Sequence, residues 1–396
     1  MGDSRYTGRM TVAFKTFGCR LNQVENAQFE AGFAAAGLDR VPVAADPRVI
    51  VVHSCAVTQA AEDEGLRLLR SLRKRYPAAC LVLSGCLVEA LGAERLGEVD
   101  VDLAVPRERR DDLVPLVFEH LGIPFNPRPV RRRSAVQRPA LKVQDGCDFF
   151  CSYCIVPHTR GAPISRPFDE CLEEARSLIA AGHRELVVTG CNTAAYSDRS
   201  RGLAALLDAL AALPGLDRIR LGSIEPGSIE REIIARMAEN PKICRFLHLP
   251  IQSGDDAVLA RMGRRYTSGH VRDTLAEALR LMPDLALGAD FICGFPGETA
   301  DAFARTRQLV EDFPFSKLHV FPYSERPGTP AASFDGRLPL AERKRRTRAL
   351  IALAADKRAA FASRFLGRPV ELIIERYDKW GRARGWSAEY LACAVA

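Results

Sequence analysis

The hydrophobic positions of this chain form short apolar runs separated by longer amphipathic stretches, beginning at Thr11. Thr11-Val-Ala-Phe-Lys-Thr-Phe reads as a strand, and residues 22–37 have helical composition closed by Gly37. Val49-Ile-Val-Val-His is a β-branched run, followed by an amphipathic helix over residues 59–76. Cys80-Leu-Val-Leu-Ser supplies a third strand and Asp102-Leu-Ala-Val a fourth, before a helix over residues 108–121. Strands that alternate with long helices are not joined as hairpins, so they predict βαβ units and a parallel sheet. Residues 1–122 are expected to form one α/β domain.

Residues 123–138 have no apolar period and carry Pro124, Pro127 and Pro129 beside Arg131, Arg132 and Arg133. They read as a linker whose arginines either touch something anionic or are solvated. Over residues 139–366 the alternation resumes, with strands at Leu141-Lys-Val, Glu185-Leu-Val-Val-Thr, Arg218-Ile-Arg-Leu, Arg245-Phe-Leu-His-Leu, Ala289-Asp-Phe-Ile-Cys and Lys317-Leu-His-Val-Phe. Helices are expected over residues 169–181, 203–213 and 268–281, and a last one over 340–364 carries Arg343-Lys-Arg-Arg. Six repeats are too few for a closed eight-stranded barrel and suit an open, partial (β/α)6 one. Residues 367–396 add short strands (Val370-Glu-Leu-Ile-Ile-Glu, Leu391-Ala-Cys-Ala-Val) too small to fold alone. The predicted class is α/β throughout, with a short β segment at the end.

Composition narrows the function classes. The 396 residues are 47% hydrophobic and 27% charged, enough for more than one buried core and too apolar for disorder. Lys and Arg number 56 against 49 Asp and Glu, a net charge of +7. That excludes a histone-like chain and leaves room for a local basic face. No run approaches the ~18 apolar residues of a membrane helix, and Met1-Gly-Asp-Ser-Arg does not open a signal segment. The 12 cysteines therefore read as intracellular thiols, not as a secreted disulfide scaffold, and a cytoplasmic location is expected.

Six of these cysteines carry candidate chemistry. Cys147, Cys151 and Cys154 form C-x3-C-x2-C directly after the first strand of the second domain. Iron–sulfur clusters are held by thiolates, usually four, so three on one tight loop leave an open metal position for a substrate. Zinc is the competing metal, although the paired C-x2-C spacing of a zinc ribbon is missing. Cys19, Cys55 and Cys86 are far apart in sequence, yet each ends a predicted strand. In a parallel sheet those ends share one edge, where open α/β sheets place ligands, so the three thiols can converge into a second site or be simply buried. Of the rest, Cys80, Cys244 and Cys293 read as core, Cys171 and Cys393 show no spacing, and Cys191 after Thr189-Gly190 stays open.

With their surroundings, these residues resemble a known family. Three spread cysteines in an α/β domain precede Asp145-Gly-Cys-Asp-Phe-Phe-Cys-Ser-Tyr-Cys, then Pro157, Arg160-Gly and Ser165-Arg-Pro. This order resembles the radical S-adenosylmethionine methylthiotransferases over nearly the whole chain. Cys19-Arg-Leu-Asn-Gln-Val-Glu, Arg218-Ile-Arg-Leu-Gly-Ser-Ile-Glu-Pro, His248-Leu-Pro-Ile-Gln-Ser-Gly, Gly294-Phe-Pro-Gly-Glu-Thr and Val320-Phe-Pro-Tyr-Ser-Glu-Arg-Pro-Gly-Thr-Pro are similar to the branch acting on N6-threonylcarbamoyladenosine at position 37 of tRNA. The isopentenyladenosine and ribosomal-protein branches usually differ around the first cysteine and at the Phe-Pro-Tyr segment; both remain alternatives, as does a non-catalytic iron–sulfur or zinc scaffold that binds RNA.

The resemblance implies two 4Fe-4S clusters and S-adenosylmethionine as cofactors. Cys147, Cys151 and Cys154 would hold the cluster at which S-adenosylmethionine is cleaved to a radical that takes hydrogen from adenine C2, and Cys19, Cys55 and Cys86 the cluster that delivers sulfur. Thr189, Gly190, Ser223, Glu225 and Gln252, each after a barrel strand, would hold the nucleoside cofactor, and Tyr153 either packs on its adenine or fills the loop. No acid–base pair is assigned. Arg160 and Arg166 either contact phosphate or carboxylate or form ion pairs, and the Gly294–Gly297 turn is either a ligand site or structural. The implied partners are the tRNA anticodon loop, an electron donor such as flavodoxin or ferredoxin, and a sulfur donor, with no membrane. The chain departs from the family by reaching Ala396 after only the opening strands of an RNA-binding β-barrel (TRAM-like) domain, which bears on tRNA affinity and leaves strand edges. Arg131–Arg133 and Arg343–Arg348 are the candidate substitutes for phosphate contact.

Overall fold

The computed structural model describes residues 10–128, 137–229 and 231–395. Arg131, Arg132 and Arg133, which carry the proposed linker contacts, lie outside the described residues. The chain divides into two compact units, one of residues 1–132 with 155–161, the other of residues 133–154 with 162–396.

In the first unit the elements are β1 (Thr11–Thr16), α1 (Arg20–Ala35), β2 (Asp39–Arg40), β3 (Val49–His53), α2 (Gln59–Arg75), β4 (Cys80–Ser84), α3 (Cys86–Leu96), β5 (Leu103–Ala104) and α4 (Leu113–His120). The five strands form one parallel sheet ordered β2-β1-β3-β4-β5. Alternation within β3 explains its place at the centre: Val49 and Val51 enter one core with Phe29 and Phe33, while Ile50 and Val52 enter another with Leu69 and Leu72. A strand buried on both faces reads as a continuous apolar run, as Val49–His53 does. Helix α2 starts where the Thr58 hydroxyl accepts from the Ala61 N–H and ends on Arg73, Lys74 and Arg75, matching its dipole. The helix expected over 108–121 is split: the polar stretch Arg107–Asp112 winds as a 3-10 turn, and only the apolar Leu113–His120 is α-helical.

The second unit contains β6 (Ala140–Lys142) and β7 (Gln144–Asp145). The chain then passes through α5 (Val156–Arg160), grouped with the first unit, and returns through β8 (Ile164–Ser165) and α6 (Phe168–Ala180). It continues with β9 (Glu185–Thr189), β10 (Ser197–Asp198), β11 (Arg201–Gly202), α7 (Leu203–Ala211), β12 (Arg218–Leu221), α8 (Arg231–Glu239), β13 (Phe246–Gln252) and α9 (Asp256–Arg261). The remainder is α10 (Ser268–Leu281), β14 (Ala286–Cys293), α11 (Ala300–Asp312), β15 (Phe315–Pro322), α12 (Leu340–Ser363), β16 (Leu372–Tyr377), β17 (Ala383–Ser387) and β18 (Ala392–Val395).

Strands β6, β9 and β12 are parallel neighbours, as are β13, β14 and β15, and parallel bridges Ile219–Ile243 and Ser223–His248 join the two groups. Six predicted strands thus follow one another in sequence order: β9 and β12 span their predicted residues, β6 is shifted by one, and β13, β14 and β15 are two or three residues longer than predicted. The two-residue pairs β7–β8 and β10–β11 carry no alternation that a sequence pattern could register. One large core lies between the strands and the helices and includes Leu247, Leu249, Phe291 and Leu309. The last three strands form an antiparallel sheet within this same unit. Arg218 and Arg220 fasten it, donating to the carbonyls of Glu371, Trp386 and Ser387 at 2.7, 3.1 and 2.9 Å.

Candidate functional site

In the first unit, Thr16, His53 and Ser84 are in register at the ends of β1, β3 and β4. The chain presents Cys19, Cys55 and Cys86 within three residues of those ends. Cys19 caps α1 and Cys86 opens α3. Close approach of the loops requires glycine: Gly18 has φ +112°, and a Cβ on it would stand 2.5 Å from Cys55 Cβ and 3.2 Å from its Sγ. The three thiols interact electrostatically with one another. Burial pushes the Cys55 thiol up to about 11 and raises that of Cys19 as well. Such thiols keep their protons at neutral pH unless a metal displaces them. The Val57 N–H donates to Cys55 Sγ at 3.4 Å, a contact that suits a metal-bound thiolate.

Beside these thiols lies a buried charge cluster. Glu25 accepts from Arg110 and from Arg160, each at 2.9 Å, and lies 2.9 Å from His53 Nε2. Arg160 also donates to Asn22 Oδ1 at 2.8 Å, and that oxygen is 3.5 Å from Cys19 Sγ. Burial holds the His53 imidazole below its ordinary pKa in spite of Glu25. Arg160 is therefore an internal ion-pair residue, and so is Arg166, which donates to Glu174 and to the Lys142 carbonyl.

In the second unit, the loop after β7 turns through Gly146 (φ +72°) and Phe150 (φ +47°) and carries Cys147, Cys151 and Cys154. Gln144 Nε2 fixes its start by donating to the carbonyls of Asp145 and Gly146 at 2.8 and 2.7 Å. Its middle is sewn to the end of α9: the Ser152 N–H donates to the Met262 carbonyl and its hydroxyl to the Arg261 carbonyl, both at 2.9 Å. Arg264 Nη1 lies 3.2 Å from Cys151 Sγ and 3.2 Å from Tyr153 Oη, while Nη2 donates to Glu225 and to the Pro250 carbonyl. Each triad is thus an all-thiol set on short turns, with N–H donors directed at sulfur. That donor chemistry fits an iron–sulfur cluster.

Comparison with known proteins identifies the family. Residues 141–310 match the Radical SAM superfamily, and residues 11–105 match the family described as Uncharacterized protein family UPF0004. The chain is 33% identical to the threonylcarbamoyladenosine tRNA methylthiotransferase MtaB of Thermotoga maritima, over 96% of this chain and 90% of that protein. It is 34% identical to the tRNA-2-methylthio-N(6)-dimethylallyladenosine synthase of Novosphingobium aromaticivorans, over 93% of this chain and 87% of that one. The chain belongs to the radical S-adenosylmethionine tRNA methylthiotransferases. Among solved structures, the radical S-adenosylmethionine methyltransferase TsrM from Kitasatospora setae, with cobalamin and a 4Fe-4S cluster bound, shares the fold at TM-score 0.60 and 14% identity. The match covers 82% of this chain and 77% of that one.

This methylthiotransferase is an enzyme that transfers a methylthio group and uses iron–sulfur clusters and S-adenosylmethionine. Among the described residues no helix is long and apolar enough to cross a membrane. The residues expected to meet the nucleoside cofactor are spread over three strand ends. Thr189 is buried at the end of β9, and a Cβ on Gly190 would stand 2.8 Å from Gln144 Oε1. Ser223 Oγ lies 2.8 Å from His248 Nδ1. Gln252 ends β13 at φ +69°, a left-handed conformation held in a buried polar residue, as strained functional positions often are. Glu225 is joined to Arg264, and Tyr153 packs edge-on against Phe295 at 6.3 Å. The Gly294–Gly297 turn is closed by Glu298, which accepts from the Gly294 N–H at 2.8 Å and pairs with Arg346. Within the Arg343–Arg348 run, Arg343, Arg345 and Arg346 are engaged with Glu325, Glu342 and Glu298.

Sequence reading missed Arg264 and Asn192. Arg264 follows α9 with no motif spacing to the cysteines and meets Cys151 only through the fold. Asn192 has both side-chain amide atoms buried without a partner beside the Gly190 strand end, where its N–H donates to Gln144 Oε1 at 2.8 Å. Its position two residues after Gly190 was the available signal.

Proposed function

We propose that this enzyme converts N6-threonylcarbamoyladenosine at position 37 of tRNA to its 2-methylthio derivative. Cys147, Cys151 and Cys154 hold one 4Fe-4S cluster and Cys19, Cys55 and Cys86 a second. What supports the reading is that Cys19, Cys55 and Cys86 follow in-register strand ends of one parallel sheet, while Cys147, Cys151 and Cys154 share the single loop after β7. When bound, the clusters and S-adenosylmethionine supply one-electron cleavage and sulfur, chemistry that side chains lack.

The chain's own residues position these groups. Arg264 places positive charge against Cys151 and pairs with Glu225, joining the loop to the strand ends. Thr189, Gly190, Ser223 and Gln252 offer backbone and polar groups to the nucleoside cofactor, and Asn192 adds a buried amide with both atoms free to pair. The Glu25 cluster ties the end of β3 to the start of α1, since His53 lies against Glu25 and Asn22 is joined to it through Arg160. An electron donor such as flavodoxin or ferredoxin and a sulfur donor complete the reaction, in the cytoplasm.

A second reading, the same chemistry on dimethylallyladenosine in tRNA, is favoured by relatives of equal identity that bear that name. Nucleoside mass spectrometry of tRNA from a deletion strain, with and without the wild-type chain, separates the two. Appearance of the methylthio derivative of threonylcarbamoyladenosine is the expected result. An unchanged threonylcarbamoyladenosine peak with a new methylthio dimethylallyl product would replace the first reading by the second.

A further inference from the structure

One polar cluster in the strand array has no role in the scheme above. His248 on β13, Asp290 on β14 and His319 on β15 bring three ligand atoms within 4.8 Å of one another. Asp290 Oδ1 is 3.3 Å from His248 Nε2 and 3.0 Å from His319 Nδ1, and His248 Nδ1 is 2.8 Å from Ser223 Oγ. The arrangement is built in: a Cβ on Gly288 would stand 2.6 Å from His248 Cδ2, so glycine makes room for that ring. Burial alone would raise the Asp290 carboxyl, but the two imidazoles outweigh it and hold the group far below the usual carboxylate range.

Strand periodicity shows which way the cluster looks. On β14 the two positions that are not buried are Asp290 and Ile292, and the exposed positions of β15 are His319 and Phe321. The alternate residues Ala289, Phe291, Leu318 and Val320 pack into the helix-side core. Asp290 pairs in register with His319, and Ile292 with Phe321. His319 and Phe321 therefore stand on the open face of the strands, the same face as His248. There Phe321 is 46% exposed, and its ring centroid lies 6.5 Å from that of His319. An exposed aromatic plane beside an imidazole, on the face to which Ser223 ties His248, is a surface for a base with a polar substituent.

Resting on the substrate reading above, we propose that His319, held by Asp290 and backed by Phe321, recognises the carboxylate of the N6 substituent and sets the enzyme's preference for a charged over an apolar one. With Nδ1 committed to Asp290, Nε2 is the ring nitrogen left to face a ligand. A bound carboxylate favours the imidazolium, in which Nε2 donates. Two imidazoles and a carboxylate can also bind a divalent cation. Here both rings already lie within 3.3 Å of the same carboxylate oxygen, so that oxygen is engaged by the rings themselves.

The test is equilibrium binding, by fluorescence anisotropy, of full-length reconstituted protein to two anticodon stem-loops that differ only at adenosine 37. One carries the threonylcarbamoyl and the other the dimethylallyl substituent. Wild type is expected to bind the first more tightly. His319→Leu removes a charge-assisted hydrogen bond and should cut that preference roughly 10- to 100-fold, whereas His319→Gln, which keeps a donor, should retain part of it. A preference that survives intact in His319→Leu overturns the inference alone, as does equal weakening of both RNAs, the mark of a structural role. A wild-type preference that needs added zinc overturns it in favour of a metal site. A wild-type preference for the dimethylallyl RNA overturns the substrate reading and the inference with it.

Discussion

Replacing Gly18 by Ala tests whether the loops of β1 and β3 must touch for the N-terminal thiols to meet. Two costs can be separated. The backbone at φ +112° is unfavourable for any L side chain, by about 1–2 kcal/mol. The new Cβ would also stand 2.5 Å from Cys55 Cβ, against about 3.5–4.0 Å for carbon atoms in contact, so the loops must part by about 1 Å. Overpacking of that kind costs about 1–3 kcal/mol. Gly37→Ala is the matched control: its φ is +89° and nothing lies within 4 Å, so it pays only the backbone term. With a unit of this size shifting by ~4 °C per kcal/mol, Gly18→Ala should melt roughly 8–20 °C lower and Gly37→Ala roughly 4–8 °C lower. After anaerobic reconstitution, Gly37→Ala should bind about eight irons like wild type and Gly18→Ala about four, with one cluster lost. Calorimetry of the apo-protein and iron analysis of the reconstituted one measure the two effects. If Gly18→Ala melts with Gly37→Ala and keeps about eight irons, loop contact is not what assembles the first triad.

The two triads should also divide the work. Cys151→Ala should abolish formation of 5′-deoxyadenosine, whereas Cys55→Ala should keep it and lose the methylthio product; equal loss of cleavage in both would refute the division. Gln252→Gly relieves a positive φ while giving up buried side-chain contacts, so stability should change by less than about 1 kcal/mol. Titration calorimetry should nevertheless show at least a roughly tenfold weaker grip on S-adenosylmethionine, and unchanged affinity would remove Gln252 from the cofactor site. Asp290 has a carboxyl pKa lowered by folding, so its contribution to stability is present above the unfolded value of about 4 and is lost as pH falls through the folded one. Asp290→Asn should therefore lose less stability than wild type between about pH 4 and pH 2, read from urea midpoints; parallel acid profiles would contradict this.

The apolar pattern determined most of the element list, because strands buried on both faces and helices with one apolar stripe are written as local periods. Val49–His53 and Ser268–Leu281 fall where their residues predict them. The spacing of the C-x3-C-x2-C loop was legible for the same reason, since its three cysteines are local. So was the placing of Cys19, Cys55 and Cys86 beside in-register ends of one parallel sheet, because such a sheet aligns its strand ends whatever the separation in sequence. What spacing could not supply were partners brought together by topology alone. Arg264 reaches Cys151 across 113 residues, and Arg160 joins Glu25 across 135. The tertiary structure likewise decided that Arg160, Arg166 and Arg346 are internal ion pairs. A sequence records an arginine's charge but not whether a carboxylate waits beside it in the fold, and that distinction separates a surface for RNA from a strut within the protein.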